Sequence, residues 1–197
     1  MAVASSSPMF GALLILVLSS AAGVHGASSS GAAPSTPLDQ LCGSLGSFYV
    51  TPELCASALC LDASSSCRSA RGAPELAALA TRLVAANATA AKASIESALA
   101  LHAERVPAPA SAADADARKG MRSCLQLYAG AVLALRWAAR SVAAGRYSGA
   151  REVLEAAQYV ASGCAGMAGE ATLPKENDRF SSMAIVAHAV VASMSTT

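Results

Sequence analysis

The chain has 197 residues, of which 54% are apolar and 14% are charged, with 14 Lys or Arg and 13 Asp or Glu. A formal net charge of +1 argues against a basic surface for nucleic-acid phosphates and against an acidic disordered tail. The length favours one domain or at most two, and a chain rich in Ala and Leu with 4% aromatic residues favours helices over a β-sandwich.

The first residues have the composition of a secretory signal peptide. Residues 1–27 contain no Lys, Arg, Asp or Glu, and they include the apolar run Met9–Leu18. Small side chains at Val24 and Gly26 predict cleavage after Gly26, so residues 1–26 are expected to be removed and the protein to be secreted to the apoplast or cell wall. The alternative, a retained membrane anchor, needs about 20 apolar residues, roughly twice this run.

The segment after the cleavage site, residues 27–38, is rich in Ser, Ala, Gly and Pro. Such a composition buries too little apolar surface to offset the entropy of ordering, which predicts a flexible leader. Residues 39–197 are expected to form the folded domain. This domain contains a glycosylation sequon at Asn87-Ala88-Thr89, which fits a secreted protein, although sequons also occur by chance in packed helices.

Six cysteines follow the cleavage site, and an even number in a secreted chain suggests three disulfides among 15 possible pairings. The midpoint of Cys124 and Cys164 is residue 144, beside Gly145. In an antiparallel helical hairpin that turns at this point the two cysteines would face each other, which predicts a bridge between them. The remaining cysteines are left to pair locally: Cys42, Cys55, Cys60 and Cys67.

Periodic apolar residues predict an all-α fold. Short segments broken by Gly and Pro between Cys42 and Cys67 indicate a small disulfide-stapled helical hairpin. A long helix is expected from about Pro74 to residue 105, with a possible break near Asn87. Three further helices show apolar seams with steps of three and four residues, and Ser148 is the expected cap of the middle one. The seams are Met121, Leu125, Tyr128, Val132, Leu135, Ala139 and Val142; Ala150, Val153, Ala157, Val160, Cys164 and Met167; and Phe180, Met183, Ala187, Val190 and Met194. Four such helices with short connections predict an up-down four-helix bundle that follows the hairpin.

Catalytic and metal-binding patterns are absent from the sequence. His102 and His188 lie on separate predicted helices without a His or Cys at ligand spacing, so no metal site is expected and each His is read as a surface or rim residue. Nucleophile-elbow, Walker and dinucleotide glycine patterns do not occur. The sequence therefore predicts neither a catalytic residue nor a cofactor, and the protein is not expected to be an enzyme.

Several short segments fit the order of cysteines and helices described above. They are Leu41-Cys42, Thr51-Pro52-Glu53-Leu54-Cys55, Ser123-Cys124-Leu125-Gln126-Leu127-Tyr128, Arg146-Tyr147 before Ala150, Cys164, Lys175-Glu176-Asn177 and Met183-Ala184-Ile185-Val186-Ala187. On these segments the chain resembles the plant pectin methylesterase inhibitor and invertase inhibitor family, over nearly all of residues 39–194. The resemblance implies a four-helix bundle with an N-terminal hairpin, and bridges Cys42–Cys55 and Cys124–Cys164. Cys60 and Cys67 are extra to the family pattern and are expected to pair with each other. The spacing of Cys42 and Cys55 exceeds the commoner family gap, which predicts a longer turn.

The resemblance implies a secreted inhibitor that covers the active-site cleft of a pectin methylesterase reversibly, in a one-to-one complex. Invertase (beta-fructofuranosidase) is the alternative target, but invertase inhibitors often carry Pro-Lys-Phe in the turn where this chain has Tyr147-Ser148-Gly149. An extracellular lipid carrier is the alternative from another class, disfavoured by the lack of Cys-Cys and Cys-x-Cys. No nucleic-acid partner, and no membrane partner after signal cleavage, is expected. The candidate target-binding residues, for which solvated surface is the alternative, are Arg136, Arg140, Tyr147, Glu152 and Gln158.

Overall fold

The computed structural model describes residues 35–60, 66–104 and 111–195. The predicted signal peptide and residues 27–34 of the predicted leader lie outside these ranges, and the predicted domain boundaries stay predictions. The described residues form helices and short turns, with no strand among them, which confirms the all-α class. No helix in the described ranges is both long and apolar enough to cross a membrane.

A short helical hairpin begins the described fold, with α1 at Pro37–Ser44 and α2 at Pro52–Leu59. Thr36 and Asp39 form a capping box at the start of α1, and Thr51 caps α2 by accepting a hydrogen bond from the Leu54 amide. Both helices have Pro in the first turn, where its missing N–H costs nothing.

One disulfide joins the two helices of this hairpin, and a second closes the loop that follows α2. Cys42 on α1 is bonded to Cys55 on α2, with their Cα atoms 5.5 Å apart, and Cys60 is bonded to Cys67. Both predicted local bridges are thus confirmed. The expected longer turn within the first bridge contains a 3₁₀ turn at Leu45–Phe48.

Four long helices follow, and each packs against the next, with the last also packing against the first. Their bounds are α3 Ala73–Glu104, α4 Ala112–Ala143, α5 Ser148–Ala168 and α6 Glu176–Ser195. This closed set is the predicted four-helix bundle. The N-terminal hairpin packs against α3 and α6, where the rings of Phe48 and His188 meet edge to face with centroids 6.5 Å apart.

The predicted break in α3 near Asn87 is absent, and this helix is continuous from Ala73 to Glu104. The Asn87 side-chain amide donates to the Leu83 carbonyl at 2.9 Å, and the Thr89 hydroxyl donates to the Ala85 carbonyl at 2.9 Å. Because both polar sequon side chains bond to carbonyls of their own helix, they do not interrupt it. Glycosylation at Asn87 stays a prediction.

The predicted seam of α5 is wrong in part. Val153 and Val160 are half-buried and Met167 is 42% exposed, so Met167 is not a core residue. The buried positions are Ala150, Leu154, Ala157, Ala161, Cys164 and Ala168. Ser148 is also not the cap: it is the first helical residue, and Tyr147 occupies the N-cap position without a side-chain hydrogen bond. Small residues face inward because α5 approaches α4 closely, to the point that a Cβ on Gly120 would overlap the Met167 carbonyl oxygen.

A buried polar contact ties three helices together. The Tyr128 hydroxyl on α4 donates to Asn177 Oδ1 on α6 at 2.8 Å, and Asn177 Nδ2 donates to the Ala161 carbonyl on α5 at 3.3 Å. Tyr128 also meets the ring of Phe180 edge to face, with centroids 5.2 Å apart. Since buried polar groups are costly unless paired, this contact fixes the relative positions of the three helices.

The predicted bridge between Cys124 and Cys164 is not formed in this structure. The two residues are free, buried thiols that hydrogen-bond to each other across α4 and α5. The hairpin argument therefore placed them correctly but did not give their bonding state. Burial raises the pKa of both thiols, and the protonated thiol is not the species that attacks to form a disulfide.

Candidate functional site

The turn between α4 and α5 is held by backbone hydrogen bonds. Gly145 has φ +74°, a left-handed conformation that suits glycine at the end of a helix, and its amide donates to the Val142 carbonyl at 2.9 Å. The Arg146 amide donates to the Ser141 carbonyl at 2.9 Å. The turn is therefore short and fixed, and it places α4 and α5 side by side.

A shallow apolar groove of about 250 Å³ runs between these two helices. Small residues line its floor and leave space that larger side chains would fill, and a Cβ added at Gly130 would meet no atom within 4 Å. The α4–α5 groove is lined by Leu127, Gly130, Ala131, Ala134, Leu135, Val153, Ala156, Ala157 and Val160.

Large apolar side chains are exposed on the same two helices. Of the seven that are exposed within the described ranges, five belong to α4 or α5. They are Leu127, Leu133, Trp137, Tyr159 and Met167, with Leu133 68% and Tyr159 71% exposed. Exposed apolar residues that cluster around a groove are typical of a protein-binding surface. Leu133 is two positions from the groove residues Ala131 and Leu135, about 200° around the helix, so it lies on the far side of α4. We call the α4–α5 groove together with Leu127, Trp137, Tyr159 and Met167 the α4–α5 face.

Charge is unevenly distributed along the same part of the chain. Between Asp116 and Glu152 there is no acidic residue, whereas seven basic ones occur: Arg118, Lys119, Arg122, Arg136, Arg140, Arg146 and Arg151. The ion pairs among the described residues are Arg71–Glu75 and Lys92–Glu96, which involve none of these seven. The α4–α5 turn therefore presents unpaired arginines.

A second cavity, of about 380 Å³, lies where the turn joins α4 to α5 and is here called the Trp137 cavity. It is lined by Trp137, Ser141, Arg146, Tyr147, Ser148, Gly149 and Ala150. Ser141 is 1% exposed, and its hydroxyl has no hydrogen-bond partner among the described residues. The cavity thus joins a buried polar atom to an arginine and an indole.

Three of the five predicted target-binding residues lie near these features. Tyr147 is half-buried and lines the Trp137 cavity. Arg140 is exposed on α4, one turn from Trp137, and Glu152 is exposed on α5, one turn from the groove residue Ala156.

The other two predicted residues lie on other faces. Arg136 and Gln158 are each two positions from a groove residue, Ala134 and Val160 respectively. Two positions correspond to about 200° around a helix, which places both residues on the far side of their helices. Their role in target binding stays a prediction without support from this arrangement.

The groove and the cavity were not predicted from the sequence. Gly130, Ala134 and Ala156 carry no chemical signal of their own, and the groove exists only because two helices pack together. The exposed Trp137 was the available signal, since large aromatic residues are enriched at binding surfaces. Across the described residues, no group of His, Cys, Asp and Glu is arranged to hold a metal ion.

Comparison with known proteins agrees with the fold and the cysteine order. The family model described as plant invertase/pectin methylesterase inhibitor matches residues 37–190, which includes all six cysteines and the whole α4–α5 face. Neither the curated proteins nor the solved structures gave a match. The chain therefore belongs to the plant invertase/pectin methylesterase inhibitor family, whose members are extracellular inhibitors of these enzymes and not enzymes themselves.

Proposed function

We propose that the protein inhibits a pectin methylesterase in the apoplast, by laying the α4–α5 face over the substrate cleft of the enzyme in a reversible one-to-one complex. The observation that carries this proposal is the apolar groove with exposed Leu, Trp, Tyr and Met side chains around it. No other pair of helices in the described ranges carries as many large exposed apolar residues. Inhibition by occlusion requires no bond to be made or broken.

The composition of this face suits a protein partner. A stable interface buries about 800 Å² on each side, and a few aromatic and arginine anchors supply most of the binding energy. Trp137 and Tyr159 are exposed aromatic residues of this kind, and Arg140 supplies a guanidinium one turn from Trp137. The shallow groove would accept a ridge or side chain of the enzyme at the cleft rim.

The turn supports pectin methylesterase over invertase as the target. Ser148 and Gly149 are the first residues of α5, and neither offers the charge of Lys or the ring of Phe that invertase inhibitors often carry there. Tyr147 is half-buried against the cavity and does not replace the missing ring at the surface. Loss of an anchor worth about 3 kcal/mol would weaken binding more than a hundredfold.

Parallel titration of purified pectin methylesterase and acid invertase with the protein tests this proposal. We expect pectin methylesterase activity to fall to its minimum at one equivalent of inhibitor, and invertase to require a far higher concentration. Tight inhibition of invertase would reverse the assignment of the target. No inhibition of either enzyme between acidic and neutral pH would overturn the proposed function.

A pair of matched variants tests the surface. Gly130→Arg places a long charged side chain in the groove at a position with open space, so folding is preserved. Ala90→Arg adds the same side chain on the exposed side of α3. We expect Gly130→Arg to weaken inhibition at least tenfold and Ala90→Arg to have no effect. Equal inhibition by both variants would place the enzyme on another face.

A further inference from the structure

The Trp137 cavity adjoins the α4–α5 face through Trp137, but it is a different space from the α4–α5 groove. It lies between Trp137 and Ser141 of α4 on one side and residues 146–150 on the other, and no residue lines both spaces. The cavity volume of about 380 Å³ is sufficient for one sugar unit and too small for a protein segment with its own secondary structure.

One wall of the cavity is the uncapped N-terminus of α5. The first helical hydrogen bond is donated by the Arg151 amide to the Tyr147 carbonyl at 2.8 Å. The amides of Ser148, Gly149 and Ala150 find no acceptor in the part of the chain that the structure describes, and Tyr147 supplies no side-chain cap. Free amides at the start of a 21-residue helix favour a negatively charged group.

The opposite wall contributes the Ser141 hydroxyl. This residue is 1% exposed, yet its Oγ atom has no partner among the described residues. A buried hydroxyl without a partner is costly, so its presence in a cavity lining points to a ligand atom that completes it. This observation is independent of the helix N-terminus on the facing wall.

Arg146 adds a positive charge between the two walls. Its backbone is fixed by the hydrogen bond to the Ser141 carbonyl, and it takes part in neither ion pair of the described residues. Since a guanidinium binds carboxylates through two parallel hydrogen bonds, Arg146 is suited to hold one. The nearest acidic residues along the chain, Asp116 and Glu152, do not line the cavity.

Trp137 supplies an apolar wall. The indole is 45% exposed and packs over the start of α5, where a Cβ added at Gly149 would lie 3.1 Å from its Cη2 atom. An open indole face beside an anion site accepts the C–H face of a ring, as in other sites that combine an aromatic wall with a few polar groups.

We infer that the Trp137 cavity binds a carboxylate carried on a sugar ring, that is, a uronate. The carboxylate is held by Arg146, the Ser141 hydroxyl and the first amides of α5, and the ring packs on Trp137. The choice of galacturonate among uronates rests on the proposed function, because pectin methylesterase leaves free carboxylates on galacturonate units. The inhibitor thereby carries a site for the product of the enzyme that it inhibits.

Trp137 is the only tryptophan of the chain, so its fluorescence reports directly on this cavity. We expect galacturonate to change the emission saturably, with at least tenfold weaker binding of its methyl ester, which has no charge. Galactose should have no effect. An effect of galactose equal to that of galacturonate, or no effect of either, would overturn the inference. Inorganic phosphate that binds as well as galacturonate would also overturn it, since the ring would then contribute nothing.

Variants identify the groups that hold the carboxylate, with calorimetry as a second measurement of affinity. Arg146→Gln is expected to weaken galacturonate binding at least tenfold, because hydrogen bonds to charged groups are the stronger ones. The matched control is Arg122→Gln, an exposed arginine on α4 that lies about 28 Å along the helix from Ser141 and should leave binding unchanged. An equal effect of both substitutions would indicate general charge attraction and overturn the site.

Ser141→Ala provides a further variant for which folding is not in question, since it removes a hydroxyl that has no partner. We expect weaker galacturonate binding together with unchanged or higher thermal stability, whereas a purely structural hydroxyl would leave binding as it is. None of these measurements contains the enzyme. Galacturonate binding by a chain that inhibits neither enzyme would overturn the proposed function alone, and inhibition without galacturonate binding would overturn this inference alone.

Discussion

At the scale of single residues, His188 on α6 makes folding stability depend on pH. It packs against Phe48, and its Nε2 atom is buried with no partner among the described residues. Burial is the main cause that lowers the pKa of His188 below its ordinary value, 6.5; Glu155 raises this pKa and Arg151 lowers it. The unfolded chain therefore binds a proton at a higher pH than the folded chain does.

The direction in which stability changes with pH follows from this difference in pKa. Well above pH 6.5 the residue is neutral in both states. As the pH falls through 6.5 the unfolded state is protonated first, so the unfolding free energy decreases. We expect urea unfolding to show this decrease between about pH 6.5 and pH 5, and His188→Gln to reduce it. A wild-type protein whose stability rises over this interval on acidification would contradict the burial of a neutral His188.

At the scale of secondary-structure elements, α4 contains a matched pair of leucines, one in its buried seam and one outside it. Leu135 is fully buried, whereas Leu133, two positions earlier, is 68% exposed. Leu135→Ala is expected to lower the unfolding free energy by about 2–5 kcal/mol, because it removes buried apolar contacts and leaves a cavity. Leu133→Ala should change it by no more than about 0.5 kcal/mol. Similar effects of the two substitutions in chemical denaturation would show that the seam has another register.

α4 also contains a matched pair of glycines, one in close contact with α5 and one with open space around it. A Cβ at Gly120 would overlap the Met167 carbonyl oxygen and would lie 2.6 Å from the Cα of Ala168, both backbone atoms that cannot turn away. Gly120→Ala is therefore expected to lower the unfolding free energy by about 1–3 kcal/mol. Gly130→Ala, in the same helix with open space around it, should raise it by up to about 1 kcal/mol. Thermal unfolding of both variants measures the contrast, and a stabilised Gly120→Ala would mean that the helices lie further apart.

These helices also show how far the sequence could predict the fold. In α4 the large residues Met121, Tyr128 and Leu135 carry the seam, and all three are buried. In α5 the predicted seam followed a regular spacing of three and four residues through Val153 and Val160, whereas the core positions Leu154 and Ala161 lie one position later. Alanine and glycine provide little contrast along α5, so its orientation depended on close contact with α4, which a single sequence does not reveal.

The candidate site was less predictable than the fold for a similar reason. Charged and aromatic residues at the turn could be proposed individually, and Arg140 and Tyr147 do lie there. The groove exists only where two helices lie side by side, and the Trp137 cavity exists only where the end of α4 meets the start of α5. Both features are properties of tertiary packing.

At the scale of the whole molecule, the thiols of Cys124 on α4 and Cys164 on α5 form a pair that a disulfide would join. The family is extracellular, and disulfides form in that environment. The two residues hydrogen-bond to each other as free thiols, and burial raises the pKa of both. We expect oxidised glutathione to convert them into a bridge, with two molecules of reduced glutathione released. Because few thiolates form while the pair is buried, conversion should be faster during refolding than in the folded protein.

Closing a loop of about 40 residues restricts the unfolded chain, which in the chain-entropy model raises the unfolding free energy by about 4 kcal/mol. Thiol counting after unfolding should give two thiols before treatment with oxidised glutathione and none after it, and urea unfolding should show the gain in stability. Cys124→Ser is the control. This variant keeps the bridges Cys42–Cys55 and Cys60–Cys67 but leaves Cys164 without a cysteine partner. Oxidised glutathione should therefore not stabilise it. Two thiols that persist after refolding with oxidised glutathione would show that the packing of α4 on α5 holds them too far apart to bond.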